Sequence, residues 1–493
     1  MIKINKRALD ISGICILLFL NVLSTVWNPL GILIGVCVYI VVYAQLFSGN
    51  TKRAFLTFII CMASSFEVNS FVYYNEASRN LYSMLLLPYV SVYPFYLTIY
   101  LFTFLLYYKY QKMFHNKLRT HRNIKSLATY IPIMIISGFV MGVLTYLVND
   151  NGIAGLNWYL GDFFRVTFQS LAMMCIIISS AILFVCDDDC YITYSKTFET
   201  FLVSSLIVGL FTGLLGWHGY YGSNPNILLM PLCVSIAPIV AIFPLYEKKK
   251  ANVFYLILTI LFIIESFFYG SLMGSKFYMV LGLLIFVYYF KAAQRSKVLD
   301  VMVITLGVLG IIISYSSIFE STSIDTYVGW KLTQLIDMFK FSGRTFLEWY
   351  ENIAVSPRYR LEEFINIFLE YLKKPVYIIF GKGNAGTITH LWGNLNWNVT
   401  LGNFPEEQVA SRVYRSMHES VNILFLRHGF IGLAFFIKMM KEEIRLMFKS
   451  RWALAGFIWI FFYWGAYQSW WIGAVMLVMS LYEGSRIEGD LRQ

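Results

Sequence analysis

Three short motifs in this chain of 493 residues contain residue types that can carry out chemistry on a charged substrate. Arginine and lysine side chains hold phosphate oxygens, and histidine exchanges protons near neutral pH. The motifs are Gly274-Ser275-Lys276, Ser342-Gly343-Arg344 followed by Trp349, and His418-Glu419-Ser420 followed by Leu424, Gly429 and Gly432.

His418 is the strongest candidate for a general base. An unperturbed histidine has a pKa of about 6.5, which suits proton transfer at neutral pH. Glu419, the next residue, is the alternative base. The competing interpretation of His418 is a capping residue at a membrane interface, without a part in catalysis.

Arg344 and Lys276 are candidate cations for a leaving group that gains negative charge. Arg344 lies where a helix is predicted to begin, and guanidinium and helix N–H groups both favour phosphate oxygens. Lys276 lies at the outer end of a predicted membrane span. The simpler interpretations are a solvated loop arginine for Arg344 and a lysine that extends to the interface for Lys276.

A further set of residues suits sugars or phosphates. The stretch 390–398 mixes aromatic rings, which stack on the C–H faces of sugars, with amides, which hydrogen-bond hydroxyls. An aromatic patch against lipid headgroups is the alternative interpretation. Nearby arginines are either phosphate and sugar contacts or solvated loop residues. The candidates are His390, Trp392, Trp397, Trp349, Arg358, Arg360, Arg412 and Arg415.

The composition places these residues in a membrane protein. Hydrophobic residues make up 58% of the chain and charged residues 14%, whereas soluble proteins have about 25% charged residues. Soluble, disordered and disulfide-scaffold classes are excluded by these values. The 39 basic and 28 acidic residues give a net charge of +11, which reports on membrane orientation and does not imply nucleic-acid binding.

About fourteen segments are long and apolar enough to cross a bilayer, which takes roughly 20 residues as a helix. The expected fold is therefore an all-α polytopic integral membrane protein. The segments are approximately 11–27, 29–47, 54–73, 86–108, 127–147, 164–186, 200–217, 227–245, 252–273, 277–290, 299–318, 418–437, 452–468 and 470–483.

The lysines and arginines obey the positive-inside rule if the spans alternate from a cytoplasmic amino terminus. Basic clusters at 109–125, 248–250 and 438–451 then lie in the cytoplasm, whereas the short outside loops hold only Arg79 and Lys276. Both termini are therefore predicted to be cytoplasmic, and the first span to remain uncleaved. The seven cysteines fall in spans or in an inside loop, so no structural disulfide is predicted.

This topology divides the chain into three parts. Residues 1–318 contain the first eleven predicted spans, and residues 418–493 contain the last three. Between them, residues 319–417 form one large loop on the outer face, which in a bacterium is the periplasmic side. The loop holds similar numbers of acidic and basic residues, so it does not present a surface of a single charge.

The pattern of the large loop is mostly helical. Apolar residues from Leu361 to Leu372 recur at three-and-four spacing, and Pro375 is expected to end that helix. Thr345-x-x-Glu348 has the spacing of a capping box that opens a shorter helix. The segment Gly381 to Gly386 is expected to be a flexible loop.

Ionisable residues inside predicted spans are functional candidates by default. Arg427 and Glu265 each lie nine residues from the outer end of their segments, which is about 13 Å at 1.5 Å per residue. They could pair with each other, or Arg427 could contact a phosphate above it. His428 and Glu67 lie at comparable depth. A structural polar cluster between helices is the alternative.

In this order and topology, the motifs resemble those of the O-antigen polymerase and O-antigen ligase superfamily. Its members are glycosyltransferases that act on polyprenyl-diphosphate-linked glycans, and they share a Ser-Gly-Arg…Trp element that opens a large periplasmic loop and a histidine element that closes it. The resemblance covers about 265–435 by motif and the remainder by topology. Where the family has an earlier Ser-Arg pair, this chain has Ser275-Lys276, which keeps the charge but lacks a bidentate phosphate contact.

The resemblance implies a GT-C-like, inverting glycosyltransferase without a cofactor, located in the bacterial inner membrane. Metal-independent catalysis is predicted because no Asp-x-Asp motif lies in the predicted outside segments, and Asp187-Asp188-Asp189 lies on the inside. Its substrates would be undecaprenyl-diphosphate-linked oligosaccharides, and a chain-length regulator is the expected partner beyond membrane lipid. A repeat-unit polymerase and a ligase that transfers finished glycan to lipid A core or protein both fit. Two alternatives come from other classes of protein. If the chain were a lipid-glycan flippase or transporter, two related halves would be expected. If it were a membrane acyltransferase, its acid and histidine would be expected on the side of the membrane where the acyl donor arrives.

Overall fold

The fold is helical throughout the part of the chain that the structure describes. In that part, extended backbone pairing is limited to one antiparallel bridge between Ile388 and Tyr414. The structure, a computed structural model, describes residues 6–26, 28–64, 94–147, 156–214, 236–247, 252–268, 284–285, 287–288, 345–352, 355–384, 386–393, 395, 397, 404, 406–415, 417–464 and 471–490.

The amino-terminal part contains nine of the described helices. A short 3₁₀ helix at Ala237–Ile242 leads into the eighth. They are α1 (Lys6–Val26), α2 (Asn28–Phe47), α3 (Thr51–Ala63), α4 (Pro94–Leu118), α5 (Arg122–Leu147), α6 (Leu156–Cys186), α7 (Asp188–Leu214), α8 (Phe243–Tyr246) and α9 (Val253–Phe268).

The carboxy-terminal part contains the remaining described helices, several of them short. A π-helical turn at Trp459–Tyr463 follows the sixth of these. They are α10 (Phe346–Asn352), α11 (Val355–Lys373), α12 (Val376–Phe380), α13 (Glu406–Ser411), α14 (Ser420–Leu446), α15 (Ala453–Ile458) and α16 (Ile472–Asp490).

Three of the described helices are long and apolar enough to cross a membrane. They are Arg122–Leu147, Phe163–Cys186 and Ser420–Leu446, with mean hydropathies of 2.1, 2.2 and 1.6. The prediction of a helical membrane protein is therefore confirmed at this level. The fourteen spans and the outer location of the loop stay predictions; the predicted span 299–318 lies outside the described residues.

The buried apolar residues form two clusters. The larger one joins α1 to α9 with α14, α15 and α16. The smaller one joins α11, α12 and the loop residues Ile388, Trp397, Phe404, Tyr414 and Met417 to Met141 of α5 and to the first turns of α14. Because α5 and α14 contribute to both clusters, these two helices couple the large loop to the rest of the described helices.

The predicted capping box at the start of α10 is confirmed. The Thr345 N–H donates to Glu348 Oε2 at 2.8 Å, and the Glu348 N–H donates to Thr345 Oγ1 at 3.3 Å. Each side chain therefore satisfies a backbone donor that the first helical turn leaves without a partner. The predicted end of α11 at Pro375 is also confirmed, because the helix stops at Lys373.

α11 buries its polar face, which is the reverse of an amphipathic helix on a soluble protein. Glu362, Glu363 and Asn366 are 0% exposed, and Glu370 is 7% exposed. Phe368 and Leu372, from the apolar stripe, are 39% and 54% exposed. The periodicity thus predicted the helix correctly, but the surroundings decide which face turns inward.

α14 is interrupted at Gly429, where φ is 56° and ψ is −141°. A helix break leaves carbonyls without their intrahelical donors. The segment Gly381–Asn384 supplies replacements: the Lys382 N–H donates to Leu426 O at 2.9 Å, and the Gly383 N–H donates to Arg427 O at 3.1 Å. The segment that the sequence suggested to be a flexible loop is therefore buried and bonded to the break.

The same segment is also bound to α5. The Asn384 N–H donates to the Gly138 carbonyl at 2.9 Å, and the Thr145 hydroxyl donates to the Lys382 carbonyl at 2.9 Å. A Cβ on Gly383, whose φ is +82°, would lie 2.0 Å from the Gly142 nitrogen. Only glycine permits this approach of the two backbones.

We predict that Gly383→Ala destabilises the protein far more than Gly49→Ala. Gly49 also has a positive φ, +81°, but nothing lies within 4 Å of a Cβ placed there. Gly49→Ala should therefore cost only the backbone strain of about 1–2 kcal/mol, whereas Gly383→Ala adds a backbone clash and should cost at least about 3 kcal/mol. Thermal unfolding of both variants in detergent measures the difference, and equal melting temperatures would contradict the packing described.

Candidate active site

His418 is held by a buried glutamate from α11. The His418 side chain is 16% exposed, and its Nδ1 hydrogen-bonds Glu363 Oε1, while its backbone N–H donates to Glu363 Oε2 at 3.2 Å. A carboxylate at Nδ1 places the proton on that nitrogen, so Nε2 carries the lone pair. This is the tautomer in which a histidine accepts a proton through Nε2.

Asn422, in the first turn of α14, completes the support of this pair. Its side-chain amide donates to Glu363 Oε2 and to the Arg360 carbonyl, each at 2.9 Å. The amide therefore ties α11 to α14 and holds the carboxylate that faces His418. Asn422 and Glu363 are positioning residues for the histidine.

Glu419, the alternative base in the sequence analysis, is occupied differently. Its carboxylate forms an ion pair with the Arg360 guanidinium, and its backbone precedes the first turn of α14. The acid that contacts His418 is thus Glu363, and Glu419 neutralises Arg360 beside it. Both pairs lie at the point where α14 begins.

The pKa of Glu363 lies below its ordinary range. Full burial alone would raise it, but the facing His418 and the hydrogen bonds from His418 and Asn422 stabilise the carboxylate and outweigh burial. Glu363 is therefore ionised at neutral pH, which suits a group that stabilises a positive charge on His418 during proton transfer.

A second glutamate–histidine contact lies one residue earlier on α11. Glu362 accepts hydrogen bonds from the Tyr350 hydroxyl, from Trp397 Nε1 at 2.7 Å and from the Leu395 N–H at 3.2 Å, and His390 Nε2 lies 3.3 Å from it. Burial alone would raise the pKa of Glu362, but His390 and the hydrogen bonds lower it below its ordinary value. Glu362 of α11 thereby connects α10 and the stretch 390–397 through one carboxylate.

Aromatic rings connect the two glutamate–histidine pairs. His390 stacks on Trp397 at 4.5 Å between ring centres, Trp397 stacks on Phe404 at 4.9 Å, and Phe404 meets His418 edge-on at 5.1 Å. Trp397 is 2% exposed, and both of its faces are covered by these rings. Trp397 therefore belongs to the packed centre of the loop.

The other two candidate tryptophans lie nearer the surface. Trp392 is partly buried, with its ring 4.9 Å from that of Tyr350, and its backbone N–H donates to Asn366 Oδ1 at 2.8 Å. Trp349 is partly buried on α10, where its ring lies 5.7 Å from that of Phe346. Their proposed role in binding sugars stays a prediction.

The candidate arginines have different surroundings. The Arg358 guanidinium lies 4.7 Å from the centre of the Tyr350 ring and donates to the Glu351 carbonyl at 3.3 Å. Arg412 is exposed with φ at 57°, and the Arg415 N–H donates to Gln408 Oε1 at 2.8 Å. Arg344 and Lys276 lie outside the described residues.

A third buried carboxylate, Glu370, holds the segment at the helix break. Lys382, 3% exposed, lies 3.5 Å from Glu370 and donates to the Thr387 carbonyl at 3.0 Å. The Tyr371 hydroxyl contacts the carbonyls of Phe425 and Leu426 at 2.6 and 2.8 Å. The end of α11 is thus anchored to α14 just above the break.

Arg427 and His428 line a cavity of about 30 Å³ beside the break. His428 is 6% exposed and hydrogen-bonds the Met134 carbonyl of α5. Gln169 and Ser170 of α6 and the rings of Trp464 and Trp471 complete its polar and aromatic lining. The predicted pairing of Arg427 with Glu265 and the placement of Glu67 stay predictions, because the structure describes only the backbone of Glu265, and Glu67 lies outside the described residues.

The sequence reasoning missed Glu362, Glu363 and Glu370, which hold the site together. A signal was present: Glu362, Asn366 and Glu370 recur every four residues, and Glu363 lies beside them on the same face of the helix. From the sequence alone, four polar residues opposite a continuous apolar stripe are expected to form a solvated face, because most charged helix faces are solvated.

Comparisons with known proteins add no identification. No protein-family model matches the chain, and no curated protein sequence matches it significantly.

We predict that acid destabilises the folded protein through the buried glutamates of α11. The pKa of each of Glu362, Glu363 and Glu370 is lowered from 4.5, so these carboxyls release protons more readily in the folded than in the unfolded chain. They stabilise the fold fully above pH 4.5, and that contribution is lost as the pH falls through their folded pKa values.

The measurement that checks this is the melting temperature at pH values between 7 and 3, determined from tryptophan fluorescence. Glu362→Gln should lower stability at neutral pH and reduce its further loss below about pH 4.5. Glu351→Gln, at an exposed position of α10, is the matched control and should follow the wild-type profile. Parallel profiles for wild type and Glu362→Gln would contradict the assignment.

Proposed function

We propose that this protein is a glycosyltransferase that polymerises polysaccharide repeat units at the outer face of a bacterial cytoplasmic membrane. It transfers a glycan from a polyprenyl diphosphate to a hydroxyl of a second lipid-linked repeat unit. The observation that carries the proposal is the Glu363–His418 pair at the first turn of α14, a helix long enough to cross a membrane.

The reaction needs a proton acceptor at the point where the lipid-linked substrates reach the membrane surface. In the proposed step, His418 Nε2 takes the proton of the acceptor hydroxyl, and that oxygen bonds to C1 of the donor sugar. The bond from C1 to the diphosphate oxygen breaks, so the configuration at C1 inverts. Glu363 stabilises the resulting positive charge on His418.

The leaving diphosphate needs cations at the same level. In the proposal, Arg344 and Lys276 bind it from the outer surface, and Arg427 contributes from the turn of α14 just before the break. Arg412, Arg415 and Arg358 are proposed to contact the glycan or its phosphates. A missing donor to a developing anion typically lowers the rate by about 10²–10³-fold, which sets the scale for Arg344.

The proposal includes the predicted topology, with about fourteen spans, both termini in the cytoplasm and residues 319–417 outside. No cofactor and no metal are proposed, because proton transfer by His418 and cations from side chains supply the required chemistry. A protein that regulates chain length is the proposed partner.

A flippase, the alternative from another class, needs charged residues along a path through the membrane. The buried carboxylates of this site instead gather where α11 meets the start of α14, and each faces a histidine or a lysine. That arrangement supports local proton chemistry in preference to transport.

We predict that His418→Ala lowers the rate of polymerisation by about 10²–10⁴-fold, the usual contribution of a general base. Glu363→Gln should cause a loss of similar order because it removes the charge beside Nδ1, and Glu419→Gln a smaller one because Glu419 pairs with Arg360. Each variant is expressed in a strain that lacks the gene, and the surface glycan is read as a ladder on a gel.

His115→Ala, which changes an exposed histidine of α4, is the matched control and should give a normal ladder. Expression level and gel filtration in detergent separate loss of activity from loss of folding. A single capped repeat unit in the His418→Ala strain is the expected result. Lipid-linked polymer that accumulates inside would instead show a ligase, and a normal ladder would contradict the site.

A further inference from the structure

The distribution of apolar and charged residues between the two faces of α11 would be unfavourable in water. Its outward face consists of apolar residues, which are partly or strongly exposed, and its inward face holds the three glutamates and Asn366. The outward residues are Leu361, Ile365, Phe368 and Leu372.

A helix surrounded by water would turn its charged side outward, because exposed apolar surface is unfavourable there and buried carboxylates need partners. α11 does the opposite. Each of its buried glutamates faces a cation, a histidine or hydrogen-bond donors from a neighbouring segment. An outward apolar face is stable only against another apolar surface.

α11 also runs inward beside α14. Arg360 and Glu363 contact Asn422, near the start of α14, whereas Tyr371 contacts the carbonyls of Phe425 and Leu426. Successive turns of α11 therefore follow the first two turns of α14. The segment after α11 reaches Arg427, which lies eight residues into α14, or about 12 Å along the helix axis.

Every backbone N–H group of the segment Gly381–Asn384 is bonded. The N–H groups of Gly381, Lys382, Gly383 and Asn384 donate to the carbonyls of Tyr377, Leu426, Arg427 and Gly138, respectively. All four residues are buried. Irregular backbone occurs at membrane depth only under this condition, because no water is present to pair with it.

The outward apolar surface continues from α11 onto α12 and α14. Val376, Ile379 and Phe380 of α12 are 49%, 51% and 38% exposed. α12 packs against the break, since a Cβ on Gly429 would lie 2.7 Å from the Ile378 oxygen, and the next residue, Phe430, is 49% exposed. The apolar surface of α11 and α12 is therefore continuous with the exposed side of α14, which is long enough to span a membrane.

We propose that residues 359–384 form a re-entrant segment whose outward face lies against the acyl chains of the bilayer. The occupant of the apolar surface is lipid, because the surface is continuous with the outer side of α14 and its outward face on α11 carries no charge. Lys373, with 55% of its side chain exposed, lies at the end of α11 and can extend toward headgroups.

This arrangement modifies the predicted topology, because residues 359–384 of the otherwise external loop enter the outer part of the bilayer. It depends on packing alone and not on glycosyl transfer. Its consequence for the proposed function is that Glu363 and His418 lie at the level of the membrane surface. A lipid-linked substrate would then reach His418 from within the bilayer plane.

Spin labels test the proposal directly. In a background without the seven native cysteines, nitroxides are attached at Phe368→Cys, Leu372→Cys and Ile379→Cys in protein reconstituted in phospholipid vesicles. Collisions with oxygen, which dissolves in lipid, should exceed collisions with the water-soluble nickel complex NiEDDA at all three positions. At Ala410→Cys, an exposed position of α13, the ratio should be reversed.

Two results would overturn the proposal. Frequent collisions with NiEDDA at 368 and 372 would place the face in water, and few collisions with either reagent would show that protein, such as a second copy of the chain, covers it. Hydroxyl-radical footprinting of the wild-type chain in nanodiscs provides a measurement that needs no substitutions. Protection of Phe368 and Leu372 is expected there, and oxidation of both would contradict the lipid contact.

Discussion

The interruption of α14 is the constraint on which the arrangement of the site depends. A break in a helix leaves carbonyls that need new donors, and in an apolar environment each unpaired group costs several kcal/mol. Here the donors come from the backbone of Lys382 and Gly383 and from the Tyr371 hydroxyl. The large loop is therefore anchored to the membrane-length helices through the same carbonyls that the break exposes.

This anchoring determines where the proposed proton transfer would occur. The two turns of α14 that precede the break begin just after His418, and the contacts of α11 with those turns bring Glu363 to Nδ1 of that histidine. Asn422 links the carboxylate and the Arg360 carbonyl, so the glutamate, the histidine and both helices are held together. The close approach requires glycine at 383 and 429, where any side chain would meet backbone atoms of the neighbouring segment.

Local features of the site could be predicted from the sequence, because they depend on neighbouring residues alone. The capping box at Thr345, the end of α11 before Pro375 and the helical periodicity from Leu361 to Leu372 are all present in the structure. The identity of the partner of His418 could not be predicted, because Glu363 lies 55 residues away in the chain. Glu419, its sequence neighbour, points to Arg360 instead.

The direction in which α11 faces could not be predicted either. Periodicity shows that a helix has an apolar side, but the surroundings decide whether that side turns inward or outward. Gly381–Asn384 is a related case, since its composition is typical of a flexible loop, yet tertiary hydrogen bonds make it part of the buried structure. Its bonding depends on the break at Gly429, which is distant in the chain.

The central claim is that Glu363 and His418 act as one unit in proton transfer. A double-mutant cycle on purified protein, with lipid-linked repeat units as donor and acceptor, measures this coupling through the rate of transfer. The account predicts that adding Glu363→Gln to His418→Ala causes little further loss, because the glutamate acts only through the histidine. Losses that multiply in the double variant would show that the two residues act independently and would contradict the account.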